Sequence, residues 1–446
     1  MNSPAGPRQR TATSDTVESF LLKLLLYGIG FGASVVISRG LGPIGRGIYY
    51  LPVVTAATVA SFATLGLEQA NVYMFGSERV ALARLWAQGG LVAAVTGLLG
   101  GLLLLAAPSA LPGTFGSSPA LLWAIAAVGL PLTLHSQFSA GLLTLRGDVT
   151  WQFRASVIST IAQVAALLTA YAAGWFTPVS VLLVLVGSNV LSWALIVARL
   201  RAEGPWVSWD GALLKQTLAR SLVLHAGMVL LFLHLRMDMF MLNAMAGPTA
   251  LGIYSLSVTL AETVSLGTDS VAVAILPRQM GNTLQEAAVT ALRAARMTAL
   301  ISAGFIVAWV VVGFPLIVLA FGRPFAGAYL PLVTLLPGIA FMGMQRVCGG
   351  PVLRAGRPSR IVYINLFSLA CNVALNLWWI PRWGAVGAAA ASTCSYALGA
   401  LLFLRWTAGM GEAAFPASVL PRPADVAAAW RGFATLVRSR HSTVAP

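Results

Sequence analysis

Long apolar stretches separated by short polar segments run along the whole chain. A stretch of about 18 residues or more is the length that a tilted helix needs to cross a bilayer. The pattern predicts an all-α, polytopic membrane protein with twelve transmembrane helices, at 20–38, 48–75, 85–107, 119–144, 155–174, 178–198, 218–244, 249–275, 298–321, 328–350, 361–380 and 384–404.

A twelve-residue segment occurs twice. Residues 42–53 read GPIGRGIYYLPV and residues 247–258 read GPTALGIYSLSV, and a shorter echo follows at 64–68 and 265–269. Transporters built from internal repeats show this pattern. It predicts two pseudo-symmetric six-helix bundles with cytoplasmic tails and a linker, at 1–19 (tail), 20–200 (bundle), 201–217 (linker), 218–405 (bundle) and 406–446 (tail).

Composition supports a membrane protein. Of the 446 residues, 58% are hydrophobic and 9% are charged, and the mean hydropathy is +0.83, so too little polar surface exists to coat a soluble globule. When the N-terminus is placed inside, 22 of the 28 basic residues lie on the cytoplasmic side. The positive-inside rule therefore predicts an inner (plasma) membrane protein with both termini cytoplasmic. The net charge of +15 is thus a topology signal, and no nucleic-acid partner is expected.

Cysteines and the C-terminal tail add little chemistry. Cys348, Cys371 and Cys394 lie in or near predicted spans without a CxxC pair, so no metal and no cofactor is expected. In the tail, apolar residues recur at helical spacing beside arginines, at Val426, Trp430, Phe433 and Val437. Two alternatives stand for it, an amphipathic helix on the inner leaflet and a disordered tail.

Three segments together resemble a known family. Residues 372–399, NVALNLWWIPRWGAVGAAAASTCSYALG, resemble the penultimate-to-last helix signature of oligosaccharide flippases in the multidrug/oligosaccharidyl-lipid/polysaccharide (MOP) exporter superfamily. Residues 38–51 look like the loop between the first two helices of that family, and residues 236–256 look like its counterpart in the second half.

The resemblance implies a V-shaped pair of bundles around a central cavity. It implies transport of a polyprenyl-diphosphate-linked sugar from the cytoplasmic to the outer leaflet, with a lipid-linked sugar substrate, membrane lipids and polysaccharide assembly proteins as partners. The tail is rich in Ala and Pro, and only twelve helices are evident where some relatives have fourteen. The subfamily therefore stays open between peptidoglycan-precursor, O-antigen and exopolysaccharide transport.

A diphosphate headgroup calls for cations and hydrogen-bonding groups within the membrane. In the predicted seventh helix, His225, Arg236 and Asn243 fall on one face at separations of 11 and 7 residues. Arg236 is the favoured headgroup contact because a guanidinium binds phosphate oxygens in a fork. The alternative is that Arg236 pairs with Glu262 and only holds two helices together. Lys23 and Arg346 either contact an incoming phosphate or extend toward anionic lipid headgroups.

Carboxylates and a histidine are candidates for H⁺ or Na⁺ coupling or for gating. His234 and Asp238, four residues apart, either titrate during transport or form a structural hydrogen bond. Glu262 and Asp269 share a predicted face of the eighth helix, where salt-bridge scaffolding is the alternative. Glu68 is the repeat counterpart of Asp269, and both are predicted near the cytoplasmic ends of their helices.

Two other function classes compete with a flippase. The first is a cation-coupled exporter of drugs or metabolites, although the loop typical of major facilitator proteins after helix two is missing; here it reads GSERVALARL. The second is a membrane enzyme, which would need a long outer catalytic loop or a DxD, HExxH or GxSxG motif. The sequence therefore favours a transporter and not an enzyme.

Overall fold

A computed structural model of the protein describes residues 12–201, 210–281 and 283–425, and helices are the only regular secondary structure in these residues. The α-helices are α1 (Ala12–Ala63), α2 (Leu67–Gly76), α3 (Leu82–Ala110), α4 (Pro112–Phe115), α5 (Ala120–Leu145), α6 (Val149–Ala172), α7 (Pro178–Arg201), α8 (Gly211–Ala261), α9 (Ser265–Gly281), α10 (Leu284–Leu316), α11 (Tyr329–Arg346), α12 (Gly349–Arg354) and α13 (Pro358–Met410). Short 3₁₀ or π segments occupy Glu262–Val264, Ile317–Phe321 and Arg323–Ala328. The predicted all-α class is confirmed.

Three of these helices are hairpins and not single rods. The Arg46 Nη1 atom donates to the Ser34 hydroxyl at 3.1 Å, although twelve residues of straight helix would separate them by about 18 Å. In α8 the Tyr254 hydroxyl lies 2.5 Å from the Asp238 carboxylate, and in α13 the Asn372 amide lies 3.0 Å from the Ser395 hydroxyl. Each of the three helices therefore folds back on itself.

Each reversal occurs at a glycine. Gly42 (φ 66°, ψ −178°) and Gly247 (φ 78°, ψ 178°) adopt nearly the same non-helical conformation, and Gly384 (φ 52°, ψ −128°) turns the third hairpin. This region of backbone space is essentially restricted to glycine. Pro43 and Pro248 follow the first two glycines, where the fixed φ of proline suits the first position of the returning helix. The repeated sequence thus encodes the same turn twice.

Replacement of Gly247 by alanine is expected to destabilise the protein by about 1–3 kcal/mol, because a Cβ atom makes this conformation strained even where space is open. Gly28→Ala is the control, since Gly28 lies within α1 at an ordinary φ with nothing within 4 Å of an added Cβ. Thermal unfolding in detergent measures both. Equal unfolding midpoints for the two variants would contradict the assigned role of the glycine.

Nine helical stretches in the described residues are long and apolar enough to cross a membrane. Three of them, Leu21–Gly76, His225–Leu276 and Ser359–Met410, contain the hairpins. Division at the turn glycines gives twelve helical segments in this part of the chain, and the number that cross a bilayer stays a prediction. The leucines of α3 at 98, 99, 102 and 103 are 57–65% exposed, as lipid-facing side chains would be.

The chain divides into two compact units, residues 1–225 and 226–446. In the first, the arms of α1 pack on α6 and α7 around Ile37, Tyr49, Leu167 and Val181. In the second, α10, α11 and α13 share a core that includes Leu292, Met344, Phe403 and Trp406. Each unit therefore has its own apolar core.

Segments outside the predicted spans also pack on the units. The first helix begins at Ala12, earlier than the predicted residue 20, and Glu18 pairs with Arg154 of α6. Near the other end, the Arg296 side chain of α10 donates to both Asp425 oxygens, at 2.7 and 3.3 Å, and to the Ser418 carbonyl at 2.8 Å. Residues 411–425 are thus held on the second unit. The predicted amphipathic segment at 426–437 and residues 202–209 of the predicted linker lie outside the described residues, whereas the rest of the linker from Gly211 onward belongs to α8.

The Arg296 guanidinium holds the pKa of Asp425 below its usual value. Because the folded pKa lies below the unfolded value of about 3.9, the contact stabilises the fold above pH 4. That stabilisation is lost as the pH falls through the folded pKa. Asp425→Asn should therefore lower the thermal midpoint at pH 6, and the difference from wild type should shrink progressively as the pH falls below 4. Glu412→Gln, at an exposed carboxylate, should show no such pH-dependent difference.

Candidate functional site

A buried carboxylate, Asp238, lies in the first arm of α8 with an exposed fraction of 1%. Its Oδ2 accepts from the Tyr254 hydroxyl at 2.5 Å and from the Ser392 hydroxyl at 2.7 Å, and its Oδ1 accepts from the Met239 backbone N–H at 2.8 Å. Three donors suit an ionised carboxylate. The hairpins explain this arrangement, because Tyr254 returns on the second arm of α8 and Ser392 lies on the second arm of α13.

The same buried cluster contains a histidine. His234, one turn before Asp238, places Nε2 2.9 Å from the Ser395 hydroxyl, and its ring packs edge-on against Tyr396 with centroids 4.9 Å apart. The Asn372 amide donates to both the Ser395 and Ser392 hydroxyls, at 3.0 and 3.3 Å. His234 and Asp238 are therefore connected through Ser395, Asn372 and Ser392, and the hydrogen bond predicted directly between them is replaced by this chain.

Hydrogen-bond directions indicate the state of His234. The Ser395 hydroxyl donates to the Ser392 carbonyl at 3.0 Å and accepts from Asn372. With its single hydrogen used, Ser395 accepts a further hydrogen from His234, which assigns a proton to Nε2. A proton gained or lost by His234 or Asp238 would therefore reorient the hydroxyls between them.

Asn376 extends the cluster. Its amide donates to the Asn372 oxygen at 2.9 Å, while its own Oδ1 is buried without a hydrogen-bond partner among the described residues. We call the cluster the Asp238 network; it comprises His234, Asp238, Tyr254, Asn372, Asn376, Ser392 and Ser395. Its carboxylate and amide oxygens are ligands that hard cations prefer. In the described residues no three His, Cys, Asp or Glu side chains form a metal-binding group.

Arg236, the predicted headgroup contact, forms an ion pair with Glu262. The Nη1 and Oε1 atoms are 3.0 Å apart, and the two side chains are 20% and 42% exposed. The 3₁₀ turn at Glu262–Val264 sets the carboxylate at the end of the second arm of α8, facing back toward the first arm. This ion pair is the alternative that the sequence left open, in which Arg236 pairs with Glu262 and holds two helices together. An anionic headgroup at Arg236 would therefore have to compete with Glu262.

The other predicted substrate contacts are dispersed. His225 bonds to the Phe62 carbonyl at 3.1 Å in the first unit, whereas Asn243 is buried in the second. Lys23 is half-buried in α1, and Arg346 pairs with Asp269. His225 and Arg236 both lie on the first arm of α8, and their joint role in substrate binding stays a prediction.

Glu68 lines a cavity of about 440 Å³ in the first unit. The walls come from α2, α5 and α6 and carry amide and hydroxyl groups, at Gln69, Gln137, Thr144 and Gln152. Glu68 is half-buried there, and no basic side chain lines this cavity. Its repeat counterpart, Asp269, differs because it is paired with Arg346.

Arg46 departs from the sequence-based topology. Residues 39–47 fall between the first two predicted spans, which makes Arg46 a residue of an outer loop, but it is 2% exposed and donates to the Ser34 and Ser38 hydroxyls. The correction has a simple cause. The turn at Gly42 is so tight that Arg46, four residues later, already lies one helical turn inside the hairpin.

Tyr254 and Ser392 were missed as partners of Asp238. Both carried a sequence signal: Tyr254 lies in the repeated segment, and Ser392 precedes Ser395 by one turn in the segment that resembles the family signature. The signal did not reveal their contact, because sequence separations of 16 and 154 residues say nothing of which helix faces meet.

Comparison with protein families decides the identity. The family described as polysaccharide biosynthesis protein matches residues 13–282, which is more than half of the chain. The chain belongs to this family. No curated protein matches the sequence.

Solved structures of MOP superfamily transporters have a similar fold. A multidrug resistance MATE family transporter of the MOP superfamily in an inward-facing conformation matches with a TM-score of 0.68 at 15% identity, covering 87% of this chain and 94% of that one. A multidrug resistance MATE family transporter of the same superfamily in an outward-facing conformation gives 0.62 at 14%, covering 89% and 94%. A MOP superfamily transporter from Pyrococcus furiosus gives 0.64 at 14%, covering 89% and 95%. The chain is therefore a multi-pass membrane protein of the polysaccharide biosynthesis family, with the fold of these MOP superfamily transporters.

Proposed function

We propose that the protein flips a polyprenyl-diphosphate-linked oligosaccharide from the cytoplasmic to the outer leaflet of the plasma membrane, for cell-surface polysaccharide biosynthesis. The family match over residues 13–282 carries the proposal, because its description names polysaccharide biosynthesis while the fold is that of a transporter. A transporter contributes to such a pathway by moving a sugar intermediate across the membrane. The basic residues favour an orientation with both termini in the cytoplasm.

The Asp238 network is proposed as the coupling element. Intramembrane ionisable groups are costly and mark ion or proton pathways in transporters. Asp238 and His234 are buried, lie one turn apart and share a hydrogen-bonded chain, so binding of H⁺ or Na⁺ at one would alter the other. Arg236, on the same arm of α8, is proposed to contact the diphosphate when Glu262 releases it.

Reconstitution tests the proposal. Proteoliposomes that carry the purified protein and a polyprenyl-diphosphate-linked oligosaccharide in both leaflets are treated with an external glycosidase. A working flippase exposes the inner-leaflet pool as well, so the cleaved fraction should rise from about one half toward completeness. Protein-free vesicles are the control, and cleavage that stops at one half in both would refute the flippase.

A cation-coupled exporter of drugs or small metabolites is the second candidate. The fold likeness to multidrug resistance MATE transporters favours it. The same proteoliposomes discriminate between the two when they are loaded with ethidium. If ethidium moves along the gradient and the lipid-linked sugar is not scrambled, the exporter function would be supported and the flippase function rejected.

A further inference from the structure

Three arginines line a pocket of about 620 Å³ in the second unit. Arg357 and Arg360 lie at the start of α13, and Arg405 lies near its end, because the hairpin returns the second arm beside the beginning of the first. We call this site the arginine pocket. Its remaining wall is largely apolar, with Leu284, Trp406, Met410 and Phe415.

Among the described residues, no acidic side chain balances the charge of the arginine pocket. No described carboxylate pairs with Arg357, Arg360 or Arg405, whereas six other arginines each form an ion pair, at 154, 199, 220, 236, 296 and 346. Glu412 precedes the pocket residue Ala413, but its exposed side chain does not pair with them. Residues 426–446 contain no Asp or Glu, so no side chain of that segment can supply the missing charge.

The guanidinium of Arg360 is held in place. Its Cζ atom lies 4.8 Å from the ring centroid of Trp406, which is 7% exposed and also lines the pocket. Stacking on an aromatic face leaves the N–H groups at the edge of the guanidinium available to a ligand. The pocket thus combines a positioned cation, two further cations and an apolar wall.

We propose that the arginine pocket binds the diphosphate group of a prenyl-type lipid. Three guanidiniums without carboxylates match a ligand with clustered negative charges, and the fork of each arginine suits phosphate oxygens. A diphosphate supplies that charge, whereas an ordinary phosphodiester supplies one. The apolar wall suits the attached chain. The positive-inside rule places all three arginines on the cytoplasmic side, where the carrier is loaded, so the assignment of a prenyl chain rests on the proposed function.

Binding of farnesyl diphosphate to the purified protein in dodecyl maltoside tests the proposal. Farnesyl monophosphate, inorganic pyrophosphate and farnesol separate the contributions of charge and chain. We expect farnesyl diphosphate to bind about 10-fold or more tightly than the first two, and farnesol not to bind. Arg360→Gln should weaken farnesyl diphosphate binding about 10-fold, and the triple variant Arg357→Gln, Arg360→Gln and Arg405→Gln should weaken it further.

Arg382→Gln is the matched control. It removes one exposed arginine, which stacks on Trp378, from the turn end of the same hairpin, and should bind farnesyl diphosphate as wild type does. Equal affinities of the triple variant and wild type would refute the site. Pyrophosphate that binds as tightly as farnesyl diphosphate, or phosphatidylglycerol or cardiolipin that displaces the probe at equal concentration, would refute a prenyl diphosphate ligand and assign a free anion or bulk lipid instead.

The proposal and the proposed function can fail separately. Arginine-dependent binding of farnesyl diphosphate by a protein that does not scramble lipid-linked oligosaccharide would retain the pocket and reject the flippase. Scrambling by the wild-type protein with no arginine-dependent binding would retain the flippase and reject the pocket.

Discussion

Asp238→Asn should abolish gradient-driven transport while the protein remains folded in the membrane. A neutral amide cannot change charge, so it cannot couple substrate movement to H⁺ or Na⁺ binding. The fold should tolerate the change. The amide leaves one neighbouring donor unpaired, which costs about 1–3 kcal/mol, but removal of a buried charge offsets this cost. Transport of the lipid-linked oligosaccharide into proteoliposomes, with and without an imposed pH or Na⁺ gradient, measures the effect.

Ser392→Ala is the matched control for Asp238→Asn. It removes one donor to the carboxylate, which lies 2.7 Å away, but keeps the titratable group. We expect gradient-driven transport to be weakened in Ser392→Ala, because the chain to His234 is broken while the carboxylate still titrates, and to be lost in Asp238→Asn. Both proteins should elute as monodisperse species from size exclusion. A response of Asp238→Asn to the gradient equal to that of wild type would remove the Asp238 network from the coupling mechanism.

Arg236→Gln should raise the apparent KM for the lipid-linked oligosaccharide about 10- to 100-fold, the loss expected for a charge-assisted contact with phosphate oxygens. Glu262→Gln distinguishes this role from helix pairing. If Arg236 binds the headgroup, removal of the competing carboxylate frees the guanidinium, so Glu262→Gln should keep or lower the KM. The 3.0 Å ion pair is lost in both variants.

A purely structural ion pair predicts a different pattern. Both single variants would then lower the thermal midpoint by similar amounts, because each leaves its half-buried partner without a counter-charge. They would also change the KM alike. Parallel losses in Arg236→Gln and Glu262→Gln would therefore reject Arg236 as the headgroup contact, whereas opposite changes in KM support it.

Much of the architecture follows from local sequence properties. The repeated GPxxxG segments predict tight reversals, and Gly42 and Gly247 adopt nearly the same conformation. The apolar stretches predict the all-α membrane class, and six of them prove to be paired in three hairpins. Pairing of Arg236 with Glu262 was one of two alternatives that the sequence left open, and the structure contains that pair.

The candidate site could be predicted from the sequence less completely than the architecture. Helical spacing placed Arg236, His225 and Asn243 on one face of a helix, but it could not show that His225 bonds to the Phe62 carbonyl. Spacing identified Asp238 as an intramembrane acid and could not find Tyr254 or Ser392 as its donors. A helical face can be read from spacing within one helix, whereas its partner depends on how separate helices pack.

The sequence by itself determined the membrane class, the internal repeat and the turn glycines, because hydropathy and backbone conformation are properties of short segments. Only the tertiary structure decided that Arg46 is buried, that Asp238 accepts three hydrogen bonds, and that Arg357, Arg360 and Arg405 share a pocket. These arrangements depend on hairpins that bring together residues tens of positions apart. Burial of a charge then depends on the partners that packing supplies, which no local pattern specifies.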